Sequence, residues 1–185
     1  MKKTVTIIIS FILLNNIILA NDTFSVTISG KYLLFRGRNF KEVYGDNSIF
    51  PELKLDVNVF KSFYLWAGYG FSSNEGKTIP ELGESVQLKQ HIISGGIGFR
   101  ILASKGLNFL FEAGAVYFNN KEKAFNDEIN SSAVGYRIVC GTNVNISNNF
   151  FTQLSGGYIS ADDKVEEESI KLGGLFASLG LGLRF

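Results

Sequence analysis

The chain has 185 residues, of which 45% are hydrophobic, 14% aromatic and 19% charged, and its formal net charge is +1. That apolar content excludes a disordered chain, the length allows about one domain, and the near-zero charge leaves no field to hold a nucleic-acid backbone. Mean hydropathy is positive, at +0.14, although nothing past the N-terminus is long and apolar enough for a membrane helix.

Residues 1–20 begin Met1-Lys2-Lys3, continue through an apolar stretch broken by Thr6, Ser10 and Asn15-Asn16, and end at the small residue Ala20. A basic start, a short apolar run and a small residue at the cleavage point are the marks of a cleaved secretory signal peptide, which leaves 21–185 as the mature domain. A membrane anchor is the competing reading, and the short, Asn-interrupted run argues against it. The single cysteine, Cys140, cannot close an intramolecular disulfide.

Past Ala20 the period becomes two. Phe24, Val26, Ile28, Tyr32 and Leu34 alternate with Ser25, Thr27, Ser29 and Lys31. Leu53, Leu55, Val57 and Val59 alternate with Glu52, Lys54, Asp56 and Asn58. The third segment, 63–72, is aromatic and Gly-rich and leaves its parity open. The fourth, 86–102, sets Ile93, Ile97 and Phe99 against Ser94, Gly96, Gly98 and Arg100. In the fifth, Leu107, Phe109, Phe111, Ala113, Ala115 and Tyr117 oppose Asn108, Glu112 and Gly114. In the sixth, 132–146, Val134, Tyr136 and Ile138 oppose Arg137, Gly141 and Asn143; the seventh spans 150–160. The eighth places Leu175, Ala177, Leu179, Leu181, Leu183 and Phe185 on one face, and Ser178, Gly180, Gly182 and Arg184 among the residues on the other. Strands send alternate side chains to opposite faces, and an apolar face backed by a small or polar one suits a barrel whose exterior meets lipid.

The connections give a second line of argument. Long ones at 37–51, 73–85, 119–131 and 161–168 alternate with short ones at 61–62, 103–106 and 147–149. An up-and-down barrel requires that order, with short turns on the periplasmic rim and long loops on the outer one. The expected fold is therefore all-β, a closed eight-stranded antiparallel up-and-down transmembrane barrel. Sixteen strands of about 9–11 residues would use nearly the whole chain, which excludes a large porin. Pro51 and Pro80 are both placed in long loops, where no ladder hydrogen bond is lost.

The leader, the alternating segments, Trp66-Ala67-Gly68-Tyr69-Gly70 and the final Leu179-Gly180-Leu181-Gly182-Leu183-Arg184-Phe185 resemble the small eight-stranded outer-membrane β-barrel superfamily of Gram-negative bacteria. Its familiar members are the outer-membrane protein A membrane domain and outer-membrane protein X. The resemblance implies the bacterial outer membrane as location, and a contact with the barrel-assembly machinery through Leu179, Leu181, Leu183 and Phe185. It carries no activity. Unlike outer-membrane protein A, the sequence stops at the expected last strand, so no peptidoglycan-binding domain is expected.

Three function classes remain. A lipid A deacylase or palmitoyltransferase needs a nucleophile beside a base; the only histidine, His91, lies three residues from Ser94, so the two point to opposite faces of a strand. The His-x-Ser spacing of the deacylases is absent, and no catalytic residue is assigned. A narrow passive channel is opposed by the size of the barrel, whose lumen side chains nearly fill. Lys31, Lys54, Asp56, Arg100, Glu112 and Arg137 are the expected polar plug, with Glu112 placed directly opposite Arg137 if the 117–132 loop closes symmetrically. The preferred class is a monomeric structural or surface-interaction barrel, meeting outer-membrane lipid, lipopolysaccharide and an unidentified surface ligand through its charged long loops. No cofactor and no metal site is expected, because no calcium-loop, zinc-ligand or phosphate-loop spacing is present.

Aromatic residues fix the expected membrane boundaries. Phe60, Tyr64, Phe109 and Phe150 mark the short-turn interface, and Tyr32, Tyr117 and Tyr158 the long-loop one, while Phe63 and Phe151 fit either an interface or packing between strands. Cys140 has the lipid-facing parity, where a thiol acts as a small apolar group.

Overall fold

The computed structural model describes residues 23–60, 62–77, 85–124, 127–165 and 168–185. The expected leader and Pro80 lie outside them. The eight strands are β1 (Phe24–Phe35), β2 (Asn47–Phe60), β3 (Phe63–Lys77), β4 (Ser85–Ser104), β5 (Leu107–Ala124), β6 (Asp127–Asn145), β7 (Phe150–Val165) and β8 (Glu168–Arg184), with one helix, α1 (Arg38–Tyr44), between β1 and β2. Each strand pairs antiparallel with the next, and β1 pairs with β8 from Ser25↔Arg184 to Phe35↔Gly174, closing the barrel. Closure satisfies the backbone of every strand without an edge, which is what a lipid environment demands.

Alternation decides which face each residue takes. Ile28, Ile97, Ile138, Leu154, Leu179 and Leu181 are exposed on the outer surface, while Thr27, Lys31, Lys54, Ser94, Gln153 and Ser178 are buried inside. No helix among the described residues is long and apolar enough to cross a membrane. The outer face of the strands supplies the apolar band instead.

Two boundaries differ from those expected. The strands run 12 to 20 residues, beyond the roughly 9–11 that a span needs, so the segments expected as loops at 119–131 and 161–168 are mostly ladder, and 73–77 of the segment at 73–85 continue β3. In β5 and β6 the pairing continues from Tyr117↔Val134 out to Ala124↔Asp127. These stretches are rich in Lys, Asn and Glu because they stand in water, and polarity alone does not distinguish a solvated hairpin from a loop. Residues 37–51 likewise hold α1 and the start of β2. Pro51 lies in β2 opposite Gly30, not in a loop. The β2–β3 register begins at Glu52↔Gly70, so Pro51 sits where the ladder is one-sided and its missing N–H is tolerated.

The interior also departs from the small, polar lining expected. Leu33, Phe35, Phe50, Ile92, Phe118 and Phe176 are buried inside the barrel and belong to one apolar cluster that Phe40 of α1 joins. Phe40 packs on Phe35 and Tyr44 with ring centroids 4.4 and 4.9 Å apart. Period two assigns a side chain to a face; it does not say whether that face is polar, and part of this lumen is an apolar core.

Candidate functional site

The charged residues expected in the lumen converge there. Lys31 Nζ donates to Glu52 Oε2 at 2.7 Å, and Arg137 grips the same carboxylate in a fork, Nη1 to Oε2 at 2.8 Å and Nη2 to Oε1 at 3.2 Å. Lys54 pairs with Glu112 and lies 3.3 Å from Asp56 Oδ1; Arg100 Nη2 reaches Asp56 Oδ2 at 3.4 Å. Arg137 Nη2 stands 3.9 Å from Glu112 Oε2 and joins the two groups. Four cations and three carboxylates, all from inward positions of β1, β2, β4, β5 and β6, thus form one network. A fork of two N–H bonds on one carboxylate is the strongest geometry available to such a pair, and it falls on Glu52, which shares the parity of Lys54 and Asp56.

The directly opposite placement expected of Glu112 and Arg137 is corrected by the register. Glu112 stands opposite Val139, and Arg137 opposite Gly114, two residues from the symmetric closure. The hairpin turns between Ala124 and Asp127, with Asn119 paired to Ser132, so counting inward from Tyr117 and Ser132 misses the offset. Arg137 reaches across the lumen to fork on Glu52 and keeps a longer ion pair with Glu112, at 3.9 Å.

Tyr64 is a second correction. It is 1% exposed and lies in the lumen, not at the interface, with its hydroxyl donating to Glu112 Oε1 at 3.0 Å. Its parity is that of Trp66, Gly68, Gly70 and Ser72, whereas Phe63, Leu65, Tyr69 and Phe71 face lipid. The small residues of the run mark the inward set, and that signal was present in the sequence. Arg100 stacks on the Tyr64 ring at 4.5 Å and Arg137 on Trp66 at 4.8 Å, adding cation–π contacts to the ion pairs.

Glycines make room for these rings. A Cβ at Gly98, the residue paired with Tyr64, would overlap the Tyr64 ring, and one at Gly182, paired with Phe151, would overlap that ring. Phe151 is accordingly buried in the lumen.

The remaining aromatics expected at the interfaces divide simply. Tyr32, Phe60, Phe109, Tyr117 and Phe150 are exposed on the outer surface, and Tyr158 is half-buried with its hydroxyl bonded to Arg36 Nη1. Leu179, Leu181, Leu183 and Phe185 also face outward; Phe185 stacks on Phe24 at 4.8 Å, and the two residues exchange backbone hydrogen bonds of 2.9 and 3.2 Å. Cys140 is free and exposed on the same surface.

His91 and Ser94 take opposite faces. His91 Nδ1 is 2.7 Å from the Tyr69 hydroxyl and its ring packs on Phe71, whereas Ser94 is buried in the lumen and accepts from Arg137 Nη1 at 3.0 Å. The rim carries exposed ion pairs, Arg38 with Glu42 and Lys121 with Glu128. Among the described residues no group of three His, Cys, Asp or Glu side chains is placed to hold a metal ion.

No protein-family model matches the chain, and no curated protein matches it in sequence. Solved structures do match it in fold. The attachment invasion locus protein Ail of Yersinia pestis superposes with a TM-score of 0.58 at 19% identity, covering 90% of this chain and 100% of Ail. Ail in complex with the heparin analogue sucrose octasulfate gives 0.59 at 17%, covering 88% and 97%. Neisserial surface protein A gives 0.60 at 9% identity, and the outer-membrane protein OprG of Pseudomonas aeruginosa 0.64 at 8%, each covering 89% of this chain and 97% of the other. The fold is that of the small eight-stranded outer-membrane β-barrels.

Proposed function

We propose that this outer-membrane barrel is a non-conducting, non-catalytic structural or surface-interaction protein whose long-loop rim is its contact surface. The observation that carries the reading is the filled lumen. The Lys31–Glu52–Arg137–Glu112–Lys54–Asp56–Arg100 network crosses it, and the apolar cluster under α1 occupies the end nearer the long loops. An eight-stranded barrel has little room beyond its own side chains. What the molecule offers to the outside is then the rim. The separation of His91 from Ser94 leaves that pair without a nucleophile–base contact, which supports a reading without acyl chemistry.

In this reading the partners are outer-membrane lipid and lipopolysaccharide around the apolar band. The assembly machinery recognises Leu179, Leu181, Leu183 and Phe185 during insertion, and the barrel works as a monomer with a surface ligand at the rim. The solved likeness to Ail, an attachment invasion locus protein, supports a surface role.

Planar-bilayer recording of the purified barrel tests the first half: only brief, small openings are expected, and a large stable conductance overturns it. Mass spectrometry of lipid A from cells with and without the protein tests the second. The acyl pattern is expected to be unchanged, and a gained or lost chain overturns the non-catalytic reading.

A further inference from the structure

A cavity of about 260 Å³ opens among the inward faces of the strands at the long-loop end, partly roofed by α1. Its walls are apolar: Phe40 and Val43 from the helix, Leu88 from β4, Ile129 from β6, and Ile170 and Leu172 from β8. Its polar groups are Glu122, Asn120, Ser131 and Asp163, with the Tyr44 hydroxyl at the roof. Glu122 is paired in register with Leu88 on one side and Ile129 on the other, so a carboxylate sits within the apolar wall.

Asp163 is the informative residue. It is 3% exposed, and its Oδ2 accepts from Asn120 Nδ2 at 2.9 Å and from Ser131 Oγ at 2.6 Å. Asn120 is held in turn by Gln90 Nε2 at 3.0 Å, so the donors orienting the carboxylate are neutral and fixed. No cation among the described residues pairs with this buried carboxylate, in contrast to the ion-paired carboxylates of the lumen network. The Tyr44 hydroxyl is buried at the roof; burial and the neighbouring Glu122 carboxylate push its pKa up, so it stays protonated.

We propose that this cavity binds a small organic cation, a primary amine carried on a short aryl or alkyl group. The ammonium supplies the missing charge at Asp163 and Glu122, and the apolar part lies against Phe40, Leu88 and Leu172. A volume of 260 Å³ equals that of about nine water molecules in the liquid, which suits a compact ligand. Two carboxylates, with no third His, Cys, Asp or Glu grouped with them among the described residues, do not make a site for a hard metal ion.

The test uses the ¹⁵N-labelled refolded barrel in micelles, titrated with benzylamine, with benzyl alcohol as its neutral isostere and with benzoate. Benzylamine is expected to give saturable shifts of the Asn120, Ser131 and Asp163 amides and to bind roughly tenfold or more tightly than benzyl alcohol, the ratio expected for one charge-assisted contact; benzoate is expected not to bind. Asp163→Asn keeps the size and is expected to abolish the preference for the amine, and Leu88→Phe to weaken amine and alcohol alike by filling the space. Glu122→Gln, expected to reduce the preference, serves if the Asp163 variant fails to fold. Equal binding of amine and alcohol, an unchanged preference in both carboxylate variants, or non-saturating shifts on the lipid-facing surface overturn the proposal. So does tighter binding of Nα-acetyl-lysine amide than of benzylamine, which assigns the cavity to a partner's lysine.

Discussion

The lumen is built residue by residue as rings laid over glycines. Tyr64 lies over Gly98 and Phe151 over Gly182 across a strand pair, and the Phe176 ring stands 2.9 Å from where a Gly157 Cβ would be. The glycines are thus complements of specific aromatic neighbours, and the position of a ring follows from where the paired strand lacks a side chain. Gly98→Ala is expected to displace the Tyr64 ring, break its bond to Glu112 and destabilise the barrel by about 1–3 kcal/mol in urea unfolding. Gly30 is paired in the same barrel but has nothing within 4 Å of its Cβ position, and Gly30→Ala is expected to change stability by no more than about 0.5 kcal/mol. Equal effects at the two positions would refute the ring-over-glycine account.

At the scale of elements, α1 shows what the mouth of the barrel requires. Seven residues make barely two turns, too few for a helix that stands alone in water. Docking supplies the stability: Phe40 inserts into the apolar cluster, and Gly76 of β3 approaches so closely that a Cβ there would overlap the backbone at Val43. Gly45 follows at φ 86°, a left-handed conformation that suits glycine, and its N–H bonds the Lys41 carbonyl at 2.9 Å to close the helix. Phe40→Ala is expected to remove about 3–5 kcal/mol of packing from the mouth. The barrel should persist, with its heat-dependent gel mobility unchanged, while amide exchange at Lys41 and Gly45 and proteolysis within 36–46 accelerate strongly. A variant that loses the barrel itself would show that α1 is integral to the fold and not a docked roof.

Across the whole molecule, the ion-pair network ties strands that share no ladder. Glu52 of β2 is bonded to Lys31 of β1 beside it and to Arg137 of β6 on the far wall, and Lys54 of β2 to Glu112 of β5. Glu52→Ala leaves two buried cations facing each other, and the expected cost is about 3–5 kcal/mol in urea unfolding, with larger fluctuations of the bilayer current. Removing the exposed Arg38–Glu42 pair by Glu42→Ala should change nothing measurable. A Glu52 variant as stable as the parent would mean that the network fills space without bracing the walls.

The sequence by itself determined the class of the molecule: eight alternating segments, their antiparallel order, and the assignment of Lys31, Lys54, Asp56, Arg100, Glu112 and Arg137 to the inward face. Alternation is a local property of adjacent residues, so it is written directly in the chain. Tyr64 was legible too, from the parity of Gly68, Gly70 and Ser72. Other features were not. The partner of Arg137 depends on where the β5–β6 hairpin turns and on a strand 85 residues away. The apolar cluster at the mouth depends on a helix folding over it, and the cavity at Asp163 on six elements meeting there. Side-chain facing is fixed by period two along one strand, but the distance between walls is fixed only when the barrel closes. It is that closure, setting register and bringing opposite walls together, that decides which charges meet and which one is left for a ligand.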